Sequence, residues 1–363
     1  MDNKIKFYDG TELLSKRDAE GQLPELYIVC SRTRSAGKTW FFTKKLFSDW
    51  VEDKEHAKFV LFCRNKLELG SVAEGMFKGM LDFYFPEYTI SESIQMKGCY
   101  SNIYATTGTG EDTERLHCGY VLPLASSDQI KRISSLFTDT VNGSGFYDEF
   151  MPENKTTFLS NEVNRFLSIC TSISRGGGTT RRRFPVYFAS NTISINNPYF
   201  MALNPPLNRR IRPDTKWVKG NGYVFQKIEN TEIIDEHASA GINRAFAGNT
   251  AISFNDNSWM NDSYTGVMKK EGDWGRPIYY CTIIDGKYIW GVRYFPDVGL
   301  YYVGCTYDKT ASLCFNIKYD DLTPNIPLLK GSLYMRTLRE AMEQGIVRFQ
   351  TIHGKESFMD LFI

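Results

Sequence analysis

Three short groups of residues in this chain are suited to phosphate chemistry. The first is Gly37-Lys38-Thr39, which follows Arg32-Thr33-Arg34-Ser35-Ala36. A helix that begins there presents free backbone N–H groups and a positive dipole end to a phosphate. Lys38 adds a cationic arm for the β and γ oxygens, and Thr39 adds a hydroxyl of the kind that ligates Mg²⁺. The second group is Asp148-Glu149. Asp148 would serve the metal through the coordination shell of Thr39, and Glu149 would orient or deprotonate a water for in-line attack on a γ-phosphate. The third is Asn191, within Ser190-Asn191-Thr192, a polar tip able to touch the γ-phosphate or that water.

Each group has a plainer reading. Gly-Lys-Thr arises often by chance, and Arg32 stands where G-x-x-x-x-G-K-[ST] has its first glycine. An Asp-Glu pair is commonly a solvated turn, and Ser-Asn-Thr is ordinary chemistry after a strand. Context separates these readings, because a phosphate-binding loop needs a strand before it and a helix after it. The apolar run Leu26–Cys30 supplies the strand, and Thr39–Val51, with Trp40, Phe47 and Trp50 near helical spacing, supplies the helix. Lys58–Phe62, Gly119–Leu122, Gly145–Tyr147 and Val186–Ala189 read as further strands. Ser71–Phe85, with Val72, Met76, Met80 and Phe83, reads as a second helix. Strands alternating with amphipathic helices predict an α/β fold with a mainly parallel sheet.

The pattern changes after residue 228. An acidic stretch at 229–236 opens a linker or small subdomain spanning 229–264, and 265–363 is rich in strands. There, Ile278–Ile284, Asp285-Gly286 and Lys287–Tyr294 read as a hairpin, since Asp-Gly between alternating apolar runs favours a type I′ turn. A helix follows with Ser332 as N-cap, Leu338, Ala341 and Met342 on one face, and Gly345 as its stop. This third region is therefore read as a smaller α+β domain. Length agrees, because 363 residues suit about two domains.

Composition narrows the function further. With 43 basic and 42 acidic residues the formal charge is +1, so any affinity for nucleic acid must come from local clustering. Such a cluster exists: residues 171–220 hold seven Arg and two Lys against Asp214, a local net of +8. A cluster of this kind neutralises phosphates without reading base sequence, although a solvated surface or a subunit contact would look the same. Eight scattered cysteines without C-x-x-C read as reduced, and four dispersed histidines offer no zinc spacing. No run approaches the ~18–20 apolar residues of a membrane span, and the first residues lack the apolar core of a signal peptide.

In order and spacing, these motifs resemble the DNA-packaging ATPases of tailed phages, the large terminase subunits. The resemblance rests on Arg34 ahead of Gly37, the strand Phe59–Arg64 ending in arginine, Asp148-Glu149 and Ser190-Asn191-Thr192. Leu124-Ala125-Ser126-Ser127 with Lys131-Arg132, and Asn196-Asn197-Pro198-Tyr199-Phe200, look most like the encapsidation proteins of φ29-like protein-primed podophages. It covers the first ~230 residues by motif order and the remainder only in architecture.

The resemblance implies a P-loop ATPase domain of ASCE/RecA-like type over 1–228, a linker subdomain over 229–264 and a vestigial RNase H-like nuclease domain over 265–363. It implies ATP and Mg²⁺ bound by residues 32–39 and Asp148, with Lys38, Glu149 and Asn191 acting on the phosphates. It also implies a homomeric ring, pentameric, docked on the procapsid portal or connector in the host cytoplasm, with double-stranded DNA and a packaging RNA as partners. In such rings a neighbouring subunit's arginine stabilises the transferring phosphoryl group. Arg175 is the first candidate here; Arg181, Arg182 and Arg183 are its rivals, and Lys131 or Arg132 a second trans-acting group. The acids Asp285, Asp297, Asp320, Asp321 and Asp360 form no two-metal spacing, which predicts no DNA cleavage. The competing readings are a full terminase with an active nuclease, a nucleotide-binding interaction protein without turnover, and a RecA-like helicase.

Overall fold

The computed structural model describes residues 7–31, 36–108, 110–152, 158–175, 181–195, 197–211, 215–228, 267–268, 272–285, 288–308, 310–317, 326–327, 329 and 331–359. The chain divides into two compact units, 1–260 and 261–363. The linker expected at 229–264 lies outside the described residues.

In the first unit a short helix α1 (Thr11–Ser15) precedes β1 (Leu26–Ser31), whose side chains are buried from the second residue onward. The helix α2 (Lys38–Glu52) returns the chain to β2 (Phe59–Cys63), and α3 (Val72–Tyr84) follows. Then come β3 (Tyr88–Gln95), β4 (Tyr100–Thr107), β5 (Glu114–Pro123), α4 (Ser127–Ile130) and β6 (Gly145–Asp148). The last elements are α5 (Glu162–Ser174), β7 (Val186–Asn191), α6 (Pro198–Ala202), β8 (Trp217–Gly220) and β9 (Tyr223–Ile228).

The nine strands form one sheet in the order β3-β4-β5-β2-β6-β7-β1-β9-β8. Its centre, β5-β2-β6-β7-β1-β9, is parallel throughout, and antiparallel strands close both edges. Strands buried on both faces read as continuous apolar runs, which is why β1, β2, β6 and β7 were visible in the sequence to within one or two residues. The β3–β4 hairpin was not foreseen; its apolar residues, such as Ile90 and Ile94, are diluted by polar ones.

The helices bury slightly different faces from those predicted. The buried face of α2 carries Phe42, Leu46, Phe47 and Trp50, and Phe42 stacks on Tyr187 with ring centroids 5.0 Å apart. Trp40 is 40% exposed and meets Phe83 and Tyr84 edge-on. In α3 the buried residues are Ala73, Phe77, Met80 and Leu81, whereas Phe83 is exposed. Helical spacing identified each helix, with Phe47, Trp50 and Met80 on the buried face as read, while Trp40 and Phe83 lie off it.

The second unit holds a five-stranded sheet in which β10 (Ile278–Asp285), β11 (Tyr288–Phe295) and β12 (Leu300–Gly304) form an antiparallel meander. Strands β13 (Cys314–Asn316) and β14 (Val347–Phe349) pair in parallel with β10 and β12. Asp285 pairs with Tyr288, so it ends β10 and is not a turn residue as predicted; Gly286 and Lys287 lie outside the described residues. The helix α7 (Leu333–Glu343) starts as expected, with the Ser332 hydroxyl accepting the Met335 N–H at 3.1 Å. It ends just before Gly345, whose φ of 68° is the left-handed value glycine supplies at a helix stop. Leu338 and Ala341 bury with Cys281, Ile283 and Trp290, and α8 (Ile352–Met359) adds Phe358.

Candidate nucleotide site

Because β1, β7 and β6 are adjacent and parallel, their carboxyl ends open on the same edge of the sheet, where α/β folds bind ligands. β1 ends at Ser31, shortly before α2 begins at Lys38, β7 ends at Asn191 and β6 ends at Asp148. Strand β7 lies between the strand that leads to Lys38 and the strand that carries the acids.

Gly37 caps α2 in the left-handed region, with φ 88°. A Cβ built there would lie 3.1 Å from the Phe7 Cβ, so both conformation and space favour glycine. The segment at Phe7 and Tyr8 was not anticipated as part of the site. The Tyr8 N–H donates to the Ala36 carbonyl at 2.9 Å and its hydroxyl donates to Gln226 Oε1 of β9 at 2.9 Å. Beside them a cavity of about 1250 Å³ is lined by Phe7, Tyr8, Gly37, Lys38, Thr39 and Trp40 among others, ample for a mononucleotide.

Lys38 is buried, and its amine donates to the Ser31 hydroxyl and, at 3.4 Å, to Asn191 Oδ1. Burial holds its pKa below the usual lysine range, opposed chiefly by the Asp148 carboxylate. The Thr39 hydroxyl donates to Asp148 Oδ2 at 2.6 Å. Desolvation pushes Asp148 up to about 6, against the lowering effect of the Thr39 bond and of Lys38. Glu149 is exposed and has φ 48°, a backbone conformation that glutamate seldom adopts, while its N–H donates to Asp148 Oδ1 at 3.1 Å. Such strain concentrates at functional turns.

The structure thus brings Lys38, Thr39, Asp148 and Asn191 together, with Glu149 on the turn that follows Asp148. Arg32, Thr33, Arg34 and Ser35 lie outside the described residues. Ser31, which sequence reasoning left out of the site, belongs to it; its position as the last residue of an apolar strand was the available signal.

The predicted basic groups stand elsewhere. Arg175 caps the end of α5 and is exposed. Since α5 begins at Glu162 beside the acidic turn, Arg175 lies about 20 Å along the helix from its own nucleotide end. Lys131 and Arg132 are exposed, and Lys131 pairs with Asp128 at 3.4 Å. Arg181 to Arg183 precede β7, at the opposite edge of the sheet from Lys38. Arg181 pairs with Glu25 at 2.7 Å, and Arg183 donates to the Pro24 carbonyl at 2.6 Å. Arg182 is committed internally: it donates to Thr140 Oγ1 at 2.7 Å, to the Ile173 carbonyl at 3.0 Å and to the Phe137 carbonyl. Its reading as a trans-acting or DNA-contacting candidate is thereby corrected, because chain proximity to Arg181 and Arg183 does not give it the same surroundings.

The profile described as Podovirus DNA encapsidation protein (Gp16) matches residues 1–362. The DNA packaging proteins of Bacillus phages PZA and phi29 are each 26% identical over 213 residues, 56% of this chain and 59% of theirs, so the match spans about three-fifths of those relatives. In fold the chain is similar to one from the bacteriophage Phi-29 viral genome packaging motor assembly, with 19% identity, 98% of each chain covered and a TM-score of 0.65. It is also similar to the Phi-28 gp11 DNA packaging motor, with 18% identity, coverage of 98% of this chain and 96% of that one, and a TM-score of 0.54. With a sheet edge that gathers the predicted phosphate-handling residues and a profile match over nearly its full length, this chain belongs to the podovirus DNA encapsidation protein (Gp16) family.

Proposed function

We propose that this chain is an ATP-hydrolysing motor subunit that moves double-stranded DNA into a viral procapsid. The observation that carries this reading is the 2.6 Å bond from Thr39 to Asp148 beside the buried Lys38 amine, in a chain of the encapsidation family. A hydroxyl and a carboxylate are hard oxygen donors that suit Mg²⁺. Held by Thr39 and Asp148, Mg²⁺ would neutralise charge on the β and γ oxygens. Lys38 would exchange its bonds to Ser31 and Asn191 for phosphate oxygens. Glu149, set off the strand by its left-handed turn, would orient the attacking water. Asn191, on the strand between the two halves of the site, would contact the γ-phosphate or that water. Residues 32–39 would wrap the phosphates, and the aromatic wall at Tyr8 and Trp40 offers flat faces to a base.

Family membership supports a homomeric ring, pentameric, on the portal of a procapsid in the host cytoplasm, with a packaging RNA as a further partner. Arg175, exposed and remote from its own site, suits a role at a neighbour's nucleotide, and Lys131 or Arg132 a second one. Arg181 and Arg183 remain the members of their cluster available to DNA or a neighbouring subunit. The proposed domain boundaries are 1–228, 229–264 and 265–363. We read the last region as a nuclease-derived domain that binds without cutting. Mg²⁺- or Mn²⁺-dependent nicking of plasmid by the full chain would refute that part.

Steady-state ATP hydrolysis with and without double-stranded DNA tests the main reading. DNA is expected to raise the rate of the native chain. Glu149→Gln should lose at least about 100-fold in turnover while still binding ATP, as removal of a transition-state interaction does. ATP binding without turnover under all conditions, DNA and portal included, would leave a nucleotide-binding interaction protein instead.

A further inference from the structure

The residues that flank the two acids are anchored to one buried ion pair. Arg64, directly after β2, donates through Nε to Glu162 Oε2 at 2.9 Å and through Nη2 to Glu162 Oε1 at 3.1 Å. The same Nη2 donates to the Phe150 carbonyl at 2.9 Å. The Tyr147 and Tyr199 hydroxyls each donate to Glu162 Oε1 at 3.0 Å, and the Leu159 N–H donates to Oε2 at 2.8 Å. Thus Tyr147, before Asp148, and Phe150, after Glu149, meet the same salt bridge. The side chains of Arg64 and Glu162 are 9% and 1% exposed.

Stability alone is a poor reason for such a pair. Taking two full charges out of water costs about as much as their attraction returns, and apolar replacements often do as well. What this pair provides is a fixed geometry. The left-handed backbone at Glu149 persists only if its surroundings over-determine it, and the hold on Phe150 from Arg64 and on Tyr147 from Glu162 does so from both sides. Arg64, Tyr147, Asp148 and Glu149 also line one cavity of about 640 Å³, which puts the anchors beside the acids they hold. Glu162 is the first residue of α5, so the turn is tied to that helix as well.

We infer that Arg64 and Glu162 are positioning residues for Glu149: the pair fixes the turn that aims its carboxylate and touches no substrate itself. This rests on the hydrolytic reading above for its kinetic consequence, and on the structure alone for its backbone consequence. The test uses the full chain carrying Arg64→Met with Glu162→Gln, in which the glutamine oxygen still accepts from both tyrosines and no charge is left unpaired. A second variant, Arg64→Lys, keeps the ion pair but has no fork to span Glu162 and Phe150 together.

Two quantities are read: kcat against ATP affinity, and amide exchange over 148–151 in the nucleotide-free chain. For the double variant we expect ATP affinity within about twofold of native and kcat lower by at least about tenfold. Exchange over 148–151 should accelerate at least about tenfold while β1 and β7 stay protected. Arg64→Lys should fall between the double variant and native. Unchanged exchange in both variants overturns the inference, as does native kcat in a variant whose turn has loosened. A native chain that turns over no ATP sinks the hydrolytic reading instead, and exchange then decides the positioning role by itself.

Discussion

The two edges of the parallel sheet treat charge in opposite ways. At the carboxyl ends of β1, β6 and β7, helices α2 and α5 begin; at the amino ends α5 and the 3₁₀ segment Lys131–Asp139 finish. Helix starts present N–H groups and attract anions, whereas helix ends present carbonyls and attract cations. Lys38 and Asp148 accordingly gather where anionic phosphate would be received. Arg182 gathers where Ile173 and Phe137 expose carbonyls, and it is consumed in satisfying them. Lys38 and Arg182 are both basic, but Lys38 donates to the side chains of Ser31 and Asn191, whereas Arg182 donates mainly to backbone carbonyls. A net charge counted along a stretch of sequence cannot separate these fates; position relative to helix ends can.

Substitutions at the two edges should sharpen that contrast. The largest effect is expected from Lys38→Ala, which should abolish ATP hydrolysis while leaving thermal stability equal or slightly higher, because a desolvated amine is removed; a stability loss matching the loss of activity would show that Lys38 is structural too. Next, Arg182→Met should reverse the pattern, lowering stability by about 1–3 kcal/mol as buried carbonyls lose their donor, with nucleotide affinity unchanged. Denaturant titration and nucleotide binding of the same preparation measure both. If Arg182→Met instead weakened DNA-stimulated turnover at constant stability, the two edges would not differ as argued.

A smaller effect should come from pH. Asp148 has a folded pKa raised from 3.8 to about 6, so the folded nucleotide-free chain binds its proton more tightly than the unfolded chain does. Its contribution to stability therefore declines as pH rises from 3.8 to about 6. Affinity for Mg²⁺-nucleotide should move the other way, falling as pH drops below about 6 and the carboxylate takes up a proton. Titrating the nucleotide on either side of that pH, in the native chain and in Asp148→Asn, checks this; native dependence persisting in the variant would assign the proton elsewhere. Smallest of all, Arg181→Ala should shift stability by no more than about 0.5 kcal/mol, since its pair with Glu25 is exposed to solvent.

Much of the fold was legible because buried parallel strands announce themselves as unbroken apolar runs. Phe59–Cys63 is such a run, and so is Leu26–Cys30. The candidate site was legible where a residue's place follows from the elements around it, as for Lys38 and Thr39, which open α2 after β1. The rest depended on partners far apart in the chain. Glu162 looks like a surface acid at a helix start, and partners distant in the chain, Arg64, 98 residues earlier, and Tyr199, 37 later, help to make it a buried hub. The contact between Lys38 and Asn191 spans 153 residues. Helix α5 was not predicted, although its buried Phe166, Ile169 and Ile173 repeat at helical spacing.

The way Tyr8 is fastened bears on how the protein should be handled. With its backbone bound to Ala36 and its hydroxyl to Gln226, Tyr8 is held as part of the rim of the cavity beside Lys38. A fluorophore attached at Phe7 or Tyr8 would stand at that rim. Kinetic constants from protein labelled there are therefore to be compared with those of unlabelled protein before any variant is judged.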